Sequence, residues 1–234
     1  MNRRHLLPAA LLTLAAVNAT PARAAKAPKT WDGMVLVKSR RFDVVYLTPG
    51  ADFAAYTKVM LDPTEVSFHK NWRRDHNRSS SRVTNDVSEK DVQKVVSQGV
   101  AAANDLFAEA FAVGGYPITT DAGDDVVRVR TGVIDIRVAA PDTFEAGRSY
   151  TFTDEAGEAT YFVELRDSVT GALLGRAADR DLAGDTTVGR RSRMTNRTDF
   201  RRLVKRWAEA SVLGLTELKT KAPVGEDGLP ARVS

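Results

Sequence analysis

Apolar residues recur at helical spacing in two long segments of the chain. In the first segment they lie three or four positions apart, at Val92, Val95, Val96, Val100, Ala103, Leu106, Phe107, Ala110 and Phe111. Ser88 precedes this stripe as a candidate N-cap, and Glu89 and Asp91 would lie in the first turn, where acidic groups favour the positive end of the helix dipole. Gly114 and Gly115 follow. The pattern predicts an amphipathic helix packed on a core.

The second segment of helical spacing lies near the C-terminus and has the cleanest periodicity in the chain. Its core-facing positions are Phe200, Leu203, Val204, Trp207, Ala208, Ser211, Val212 and Leu215. Asn196 or Thr198 is the predicted N-cap. Residues 219–234 contain Pro223 and Pro230 and almost no large apolar residue, so we expect them to form a flexible C-terminal tail.

Shorter segments show the patterns of β-strands. Residues 42–47, 58–61 and 66–68 are predicted strands, and residues 70–87 are predicted to form a polar loop. Val127 and Val129 alternate with charged residues, but beyond Gly132 the apolar positions change from odd to even numbers, which predicts a bulge at Gly132. Residues 160–166 and 172–178 form a predicted antiparallel hairpin around the turn at 167–171.

This order of elements predicts the fold class. Strands come first, and a helix, several strands and a final helix follow. The order favours an α+β fold, in the form of an α/β sandwich, over alternating βαβ units. We expect a mixed, mainly antiparallel sheet with both amphipathic helices packed against it, in a single domain that spans residues 25–218.

The N-terminus has the pattern of a secretory signal peptide. Arg3 and Arg4 precede an apolar run at residues 6–17, and small residues follow up to Ala24. The run is shorter than the roughly 20 residues that span a bilayer core. We therefore expect residues 1–24 to be removed after Ala24 and the protein to be periplasmic, with a retained N-terminal anchor as the alternative. No comparable apolar stretch follows, so no transmembrane anchor is expected after cleavage.

Composition narrows the classes of function. The chain has no cysteine, so it has no lipidation cysteine and cannot use disulfides to hold an exported fold. The formal net charge is +4, but Arg3, Arg4 and Arg23 belong to the predicted leader, and the mature chain is therefore close to neutral. Nucleic-acid binding is not expected, since it favours a strong excess of basic residues.

The sequence offers little material for catalysis. Outside the leader the only histidines are His69 and His76, the serines lie in no nucleophile elbow, and the glycines form no phosphate-binding loop. We therefore expect no cofactor, no metal and no catalytic residue. The alternative is a carboxylate-dependent hydrolase that acts on envelope material with an acid and a base drawn from pairs such as Asp124 and Asp125, or Asp179 and Asp181.

Two groups of basic residues are candidate binding surfaces. The first is a possible surface for an anionic partner and comprises Arg190, Arg191, Arg193, Arg197, Arg201 and Arg202. The second comprises Trp72, Arg73, Arg74 and Arg78, where an aromatic ring among arginines is typical of contact surfaces. An envelope protein or an anionic envelope polymer would suit either group. The alternative is that both groups are solvated surface without a partner.

Several short motifs resemble a known bacterial family, the domain of unknown function 3313. They include Trp31-Asp32-Gly33, the segment at 45–52, Gly115-Tyr116-Pro117 and the segment at 164–171. The resemblance extends over about residues 31–218 and implies an exported envelope protein with no assigned activity. Many members of that family look like lipoproteins. This chain differs from them because it has no cysteine that could be lipidated. A more distant similarity to envelope lipoprotein domains of curli secretion and of penicillin-binding-protein activators implies a binding or assembly module.

Overall fold

A mixed β-sheet covered by helices forms the body of the protein. The computed structural model describes residues 27–79, 86–138, 152–190, 193–221 and 223–229. The predicted leader and Arg191 lie outside these residues. The strands are β1 (Thr30–Trp31), β2 (Met34–Val37), β3 (Val44–Leu47), β4 (Lys58–Leu61), β5 (Glu65–Phe68), β6 (Val126–Val138), β7 (Phe152–Asp167) and β8 (Leu173–Arg190).

The eight strands are ordered β1-β2-β3-β8-β7-β6-β4, and β5 also pairs with β6. Strands β4 and β5 run parallel to β6, and the other neighbours are antiparallel. The predicted mixed, mainly antiparallel sheet is confirmed. The predicted hairpin is present as β7 and β8, although both strands extend well beyond the predicted ranges.

Two long helices carry the predicted apolar stripes. Helix α2 (Glu89–Val113) begins with a capping box, in which Ser88 Oγ accepts a hydrogen bond from the Asp91 amide at 3.2 Å and the Asp91 carboxylate accepts one from the Ser88 amide at 3.0 Å. The predicted N-cap is thus confirmed. Helix α3 (Arg193–Lys219) starts before both residues predicted as its cap, so that prediction is wrong.

A further short helix, α1 (Trp72–Ser79), occupies part of the segment that we predicted to be a loop. The segment is polar, but the Trp72 ring stacks on Phe68 of β5 at a centroid distance of 4.5 Å. His76, one helical turn later, stacks on the other side of Trp72 at 5.1 Å. These ring contacts fix a helical turn that the apolar pattern alone does not indicate.

Stacked aromatic rings join the two long helices to the sheet. Tyr161 of β7 is fully buried and lies between Phe107 of α2, at 5.7 Å, and Trp207 of α3, at 5.3 Å. Its hydroxyl group is 2.8 Å from that of Ser211, so the phenol is satisfied inside the core. The Trp207 indole donates a hydrogen bond to Asp179 of β8 at 2.8 Å. Burial and these polar contacts together fix the position of α3 on the sheet.

The bulge in β6 is displaced from its predicted position. Gly132 pairs in register with Phe162, and the shift falls between Ile134 and Arg137, where Asp135 has a φ of +53°. The glycine at position 132 is explained by packing instead, since a Cβ there would lie 2.1 Å from the Phe162 ring. The change from odd to even apolar positions is thus real, but the extra residue is Asp135.

Part of the predicted flexible tail packs against the domain. Val224 is 7% exposed, its amide donates to the Ala51 carbonyl at 3.0 Å, and its carbonyl accepts from the Gly50 amide at 2.7 Å. The predicted tail thus contacts the domain through Val224. Its flexibility stays a prediction.

Candidate functional site

The first predicted surface lies partly on α3. Arg197 and Arg201 are exposed and, one helical turn apart, lie on one face of the helix. Among the described residues, no carboxylate lies within ion-pair distance of either. Arg202 donates to Asp199 at 3.2 Å and is therefore partly neutralised. The helix backbone places position 193 one turn before Arg197.

For the remaining members of this surface, Arg190, Arg191 and Arg193, the structure describes at most the backbone. Position 190 ends β8 and position 193 begins α3, but the side chains of Arg190 and Arg193, like the whole of Arg191, lie outside the described part of the structure. The structure thus brings Arg197, Arg201 and Arg202 onto one helix. We call the exposed pair Arg197 and Arg201 the α3 basic face.

The second predicted surface is largely engaged in contacts within the protein. Trp72 lies between Phe68 and His76, as described above. Arg73 approaches Glu89 of α2 at 3.3 Å, and Arg74 approaches Asp75 at 3.2 Å. Arg78 is exposed near the end of α1. These contacts favour a structural role for α1, since most of the predicted contact group already has partners.

Three of the four carboxylates proposed for catalysis have partners. The Asp125 side chain lies 3.1 Å from Lys58, whose hydrogen bond, with that of Thr57, lowers the pKa of Asp125. Asp179 accepts hydrogen bonds from Trp207 and from the Asp43 amide, and Asp181 pairs with Arg206 at 2.7 Å. Within the described residues no three histidine or acidic side chains are grouped as metal ligands would be.

A dense charged cluster lies on the sheet face opposite α2 and α3. We call it the Glu164 cluster, and its members are Trp31, Asp32, Glu65, Arg130, Glu164, Arg166 and Arg176. Glu164 is only 5% exposed. Its carboxylate lies 2.8 Å from Arg176 and 3.3 Å from both Arg130 and Arg166. Arg176 is also 4.1 Å above the Trp31 ring and 3.3 Å from Asp32.

The electrostatics of Glu164 favour a structural role for this cluster. Burial alone would raise the pKa of Glu164, but the hydrogen bond and charge of Arg176, followed by those of Arg166, outweigh burial and lower the pKa. The carboxylate therefore stays ionised and has no proton to donate near neutral pH. It serves as a common acceptor for three arginines from β6, β7 and β8.

A cleft opens between α3 and the edge of the sheet at β2 and β3. Its volume is about 1620 Å³. Its floor includes the side-by-side residues Val45, Ala177 and Val163 of three neighbouring strands. Gly214 and Leu218 of α3 lie opposite the floor, and the segment that carries Val224 closes one side. The mouth carries basic residues of the β2–β3 connection.

Neither the Glu164 cluster nor the cleft follows from the sequence alone. The alternation of Arg128 and Arg130 with apolar residues predicts a charged face of β6, and Glu164 and Arg166 show the same spacing in β7. That spacing is a usable signal for the charged face. The cleft has no such signal, because it is the space left between two layers.

Comparison with known proteins identifies a family. The model of the family described as Protein of unknown function (DUF3313) matches residues 31–211. No curated protein matches the sequence. Within the described residues, none of the helices has the length and apolar character needed to cross a membrane.

Several solved structures are similar to this chain at low sequence identity. The PelC dodecamer from Paraburkholderia phytofirmans is 12% identical, with a TM-score of 0.35 and coverage of 71% of this chain and 94% of that chain. A DUF330 protein from Xanthomonas campestris is 12% identical, with a TM-score of 0.40 and coverage of 74% and 90%. A minor lipoprotein from Acinetobacter baumannii is 9% identical, with a TM-score of 0.30 and coverage of 69% and 94%.

Proposed function

The chain belongs to the family Protein of unknown function (DUF3313), and we propose that it acts as an exported, non-catalytic binding or assembly module of the bacterial cell envelope. The leader-like N-terminus supports export to the periplasm. The structural contacts of Asp125, Asp179 and Asp181 favour binding over hydrolysis, because each carboxylate already holds a neighbouring element in place.

The α3 basic face is the observation that carries this proposal. Arg197 and Arg201 are exposed, lie on one side of a long, well-anchored helix, and have no described carboxylate in reach. Two unneutralised guanidinium groups on a rigid element suit a carboxylate or phosphate partner, to which arginine can donate paired hydrogen bonds. The partner we propose is an acidic envelope protein or an anionic envelope polymer.

The experiment is crosslinking in the intact envelope, followed by purification and mass spectrometry. The test variant carries Arg197→Glu with Arg201→Glu. The matched control carries Lys90→Glu with Lys94→Glu, which makes the same charge change on the exposed face of α2. We expect a reproducible crosslinked partner with wild type and control, and its loss with the test variant.

Two further measurements separate this proposal from its alternatives. Recovery of the same species with the test variant would exclude the α3 basic face as the contact surface. Turnover of cell-wall or ester substrates by the purified protein would instead support the carboxylate-dependent hydrolase. Weakening of the crosslinked complex by added salt is expected, because exposed charge contacts are screened.

Export is tested on the purified protein itself. Cleavage after Ala24 predicts an intact mass and an N-terminal peptide that begin at Ala25. An intact mass that includes residues 1–24 in protein recovered from the envelope would favour the retained N-terminal anchor.

A further inference from the structure

We propose that the cleft between α3 and the β2–β3 edge binds a single anionic lipid, with its acyl chain inside and its head group at the basic mouth. This site is separate from the α3 basic face. It uses other residues, near the opposite end of α3, and a ligand of a different chemical class.

The interior of the cleft suits a hydrocarbon chain. Its walls are mostly aliphatic, and the half-buried side chains of Val37, Val45 and Leu218 face this space. The Ser211 hydroxyl, which also lines the cleft, is already bonded to Tyr161 and to the Trp207 carbonyl. A ligand with polar groups in its buried part would leave them without partners, which is costly, whereas an acyl chain has none.

Small residues on both sides create the space. Ala177 faces it from β8, and Gly214 faces it from α3. A Cβ added at Gly214 would have one close neighbour, the Phe42 ring, at 3.8 Å. The volume of about 1620 Å³ exceeds the roughly 300–1,000 Å³ of typical small-molecule sites, so an extended chain has room.

The mouth of the cleft is complementary to a negative head group. Lys38, Arg40 and Arg41 are exposed on the connection between β2 and β3, and Lys221 follows α3. Arg41 and Lys221 share one carboxylate, Glu217, at 3.6 Å and 2.7 Å. Within the described residues, Lys38 and Arg40 have no carboxylate at ion-pair distance.

The basic residues at the mouth (Lys38, Arg40, Arg41 and Lys221) outnumber the three acidic residues of the cleft (Asp43, Glu217 and Asp227). The Glu217 pKa is lowered mainly by its hydrogen bond with Lys221, so Glu217 is ionised but shared between two cations. Asp43 accepts a hydrogen bond from the Arg180 amide at 3.3 Å, and Asp227 accepts one from the Leu229 amide at 3.0 Å. An incoming carboxylate or phosphate therefore finds Lys38 and Arg40 available.

The test uses the exported protein and cis-parinaric acid, an anionic polyene fatty acid that fluoresces when it enters an apolar site. We expect saturable fluorescence that oleate reverses more effectively than oleyl alcohol, which has the same chain but no charge. Gly214→Leu fills the cleft and should weaken parinarate binding by about tenfold, as the exclusion of two methylene groups would. Ala101→Leu, which adds the same side chain to the exposed face of α2, is the control and should bind as wild type.

Charge reversal tests the mouth. Lys38→Glu with Arg40→Glu should remove the preference for oleate over oleyl alcohol, while Lys90→Glu with Lys94→Glu should preserve it. If Gly214→Leu does not fold, as judged by circular dichroism, Val45→Phe fills the same space from the sheet. Absence of parinarate binding to wild type, or equal binding by folded cleft-filling variants, would overturn the proposal.

A flotation assay with phosphatidylglycerol vesicles distinguishes the lipid monomer from a membrane surface. Vesicle binding without parinarate binding would also overturn the proposal, since it would show surface adhesion alone. Arg197→Glu with Arg201→Glu should leave parinarate binding unchanged. Failure of the lipid site and failure of the α3 basic face are therefore separate results.

Discussion

Glu164 Oε1 lies 2.8 Å from Nη2 of Arg176, and this ion pair joins the two longest strands of the sheet on the face away from the long helices. Glu164 is almost fully covered, whereas Arg130 and Arg166 around it remain partly exposed. The pair is thus intermediate between a surface salt bridge and a buried one. Its contribution to stability can be measured by removing the carboxylate charge alone.

Glu164→Gln should lower the free energy of unfolding by about 2–3 kcal/mol, between the values for exposed and for buried ion pairs. The amide keeps the shape of the side chain but leaves three guanidinium groups without their common counter-charge. Urea unfolding measures the change. Glu65→Gln is the control, because Glu65 also contacts Arg130 but is about half exposed, and it should cost less than about 1 kcal/mol.

The stability contributed by Glu164 should depend on acid pH. The folded-state pKa of Glu164 is lowered, so its contribution is fully present above the ordinary carboxyl pKa and is lost as pH falls through the folded-state pKa. The difference in unfolding free energy between wild type and Glu164→Gln should therefore shrink below about pH 4.3. A difference that stays constant from neutral to acid pH would exclude this linkage.

Gly132→Ala should destabilise the protein by about 1–3 kcal/mol, the usual cost of overpacking. The new methyl group would meet the Phe162 ring, which must move, and Arg130 lies over the same ring at 5.4 Å. Thermal unfolding measures the effect. Gly214→Ala is the matched control, since its methyl group has space and alanine favours a helix by about 1 kcal/mol over glycine.

The stability that Tyr56 contributes should depend on alkaline pH. Burial, followed by its hydrogen bond to Asp167, raises the pKa of Tyr56 to about 12. The contribution of Tyr56 to folding stability is complete below the ordinary tyrosine pKa of about 10. It is lost as pH rises toward the raised pKa of Tyr56 in the folded protein. Tyr56→Phe should cost about 1 kcal/mol at neutral pH, from the lost hydrogen bond.

Between pH 10 and 12 the stability of Tyr56→Phe should fall less steeply than that of wild type. Tyr161 is present in both proteins, so the difference reports on Tyr56. Parallel loss of stability in the two proteins over this range would contradict the assignment. Denaturant unfolding at several pH values provides the measurement.

Much of the fold could be predicted because its signals are local. The stripe from Val92 to Phe111 and the capping residue Ser88 define α2 without knowledge of any tertiary contact. Helix α1 differs, since its one large apolar residue, Trp72, is held by Phe68 on one side and His76 on the other. The spacing of Trp72 and His76 by four positions was the available signal, and the polar residues between them obscured it.

The site residues could be predicted less well because they depend on register and on the spacing of layers. Glu164 and Arg166 share a strand face, which the alternation indicates. The contact of Glu164 with Arg176 requires the pairing of β7 with β8, and the contact of Arg176 with Asp32 joins residues 144 positions apart in the chain. The cleft depends on how closely α3 approaches the sheet at Gly214, which no periodicity specifies.

The sheet order has a consequence for the sequence of events during synthesis. Strands β3 and β4, made early, lie next to β8 and β6, which are made much later. Strand β3 therefore has no β8 to pair with, and β4 has no β6, until those later strands are synthesised. The sheet can form completely only after both β7 and β8 are present. Pairings this distant in sequence make folding slow. Because β8 ends at residue 190, the sheet cannot be completed until most of the chain has been synthesised.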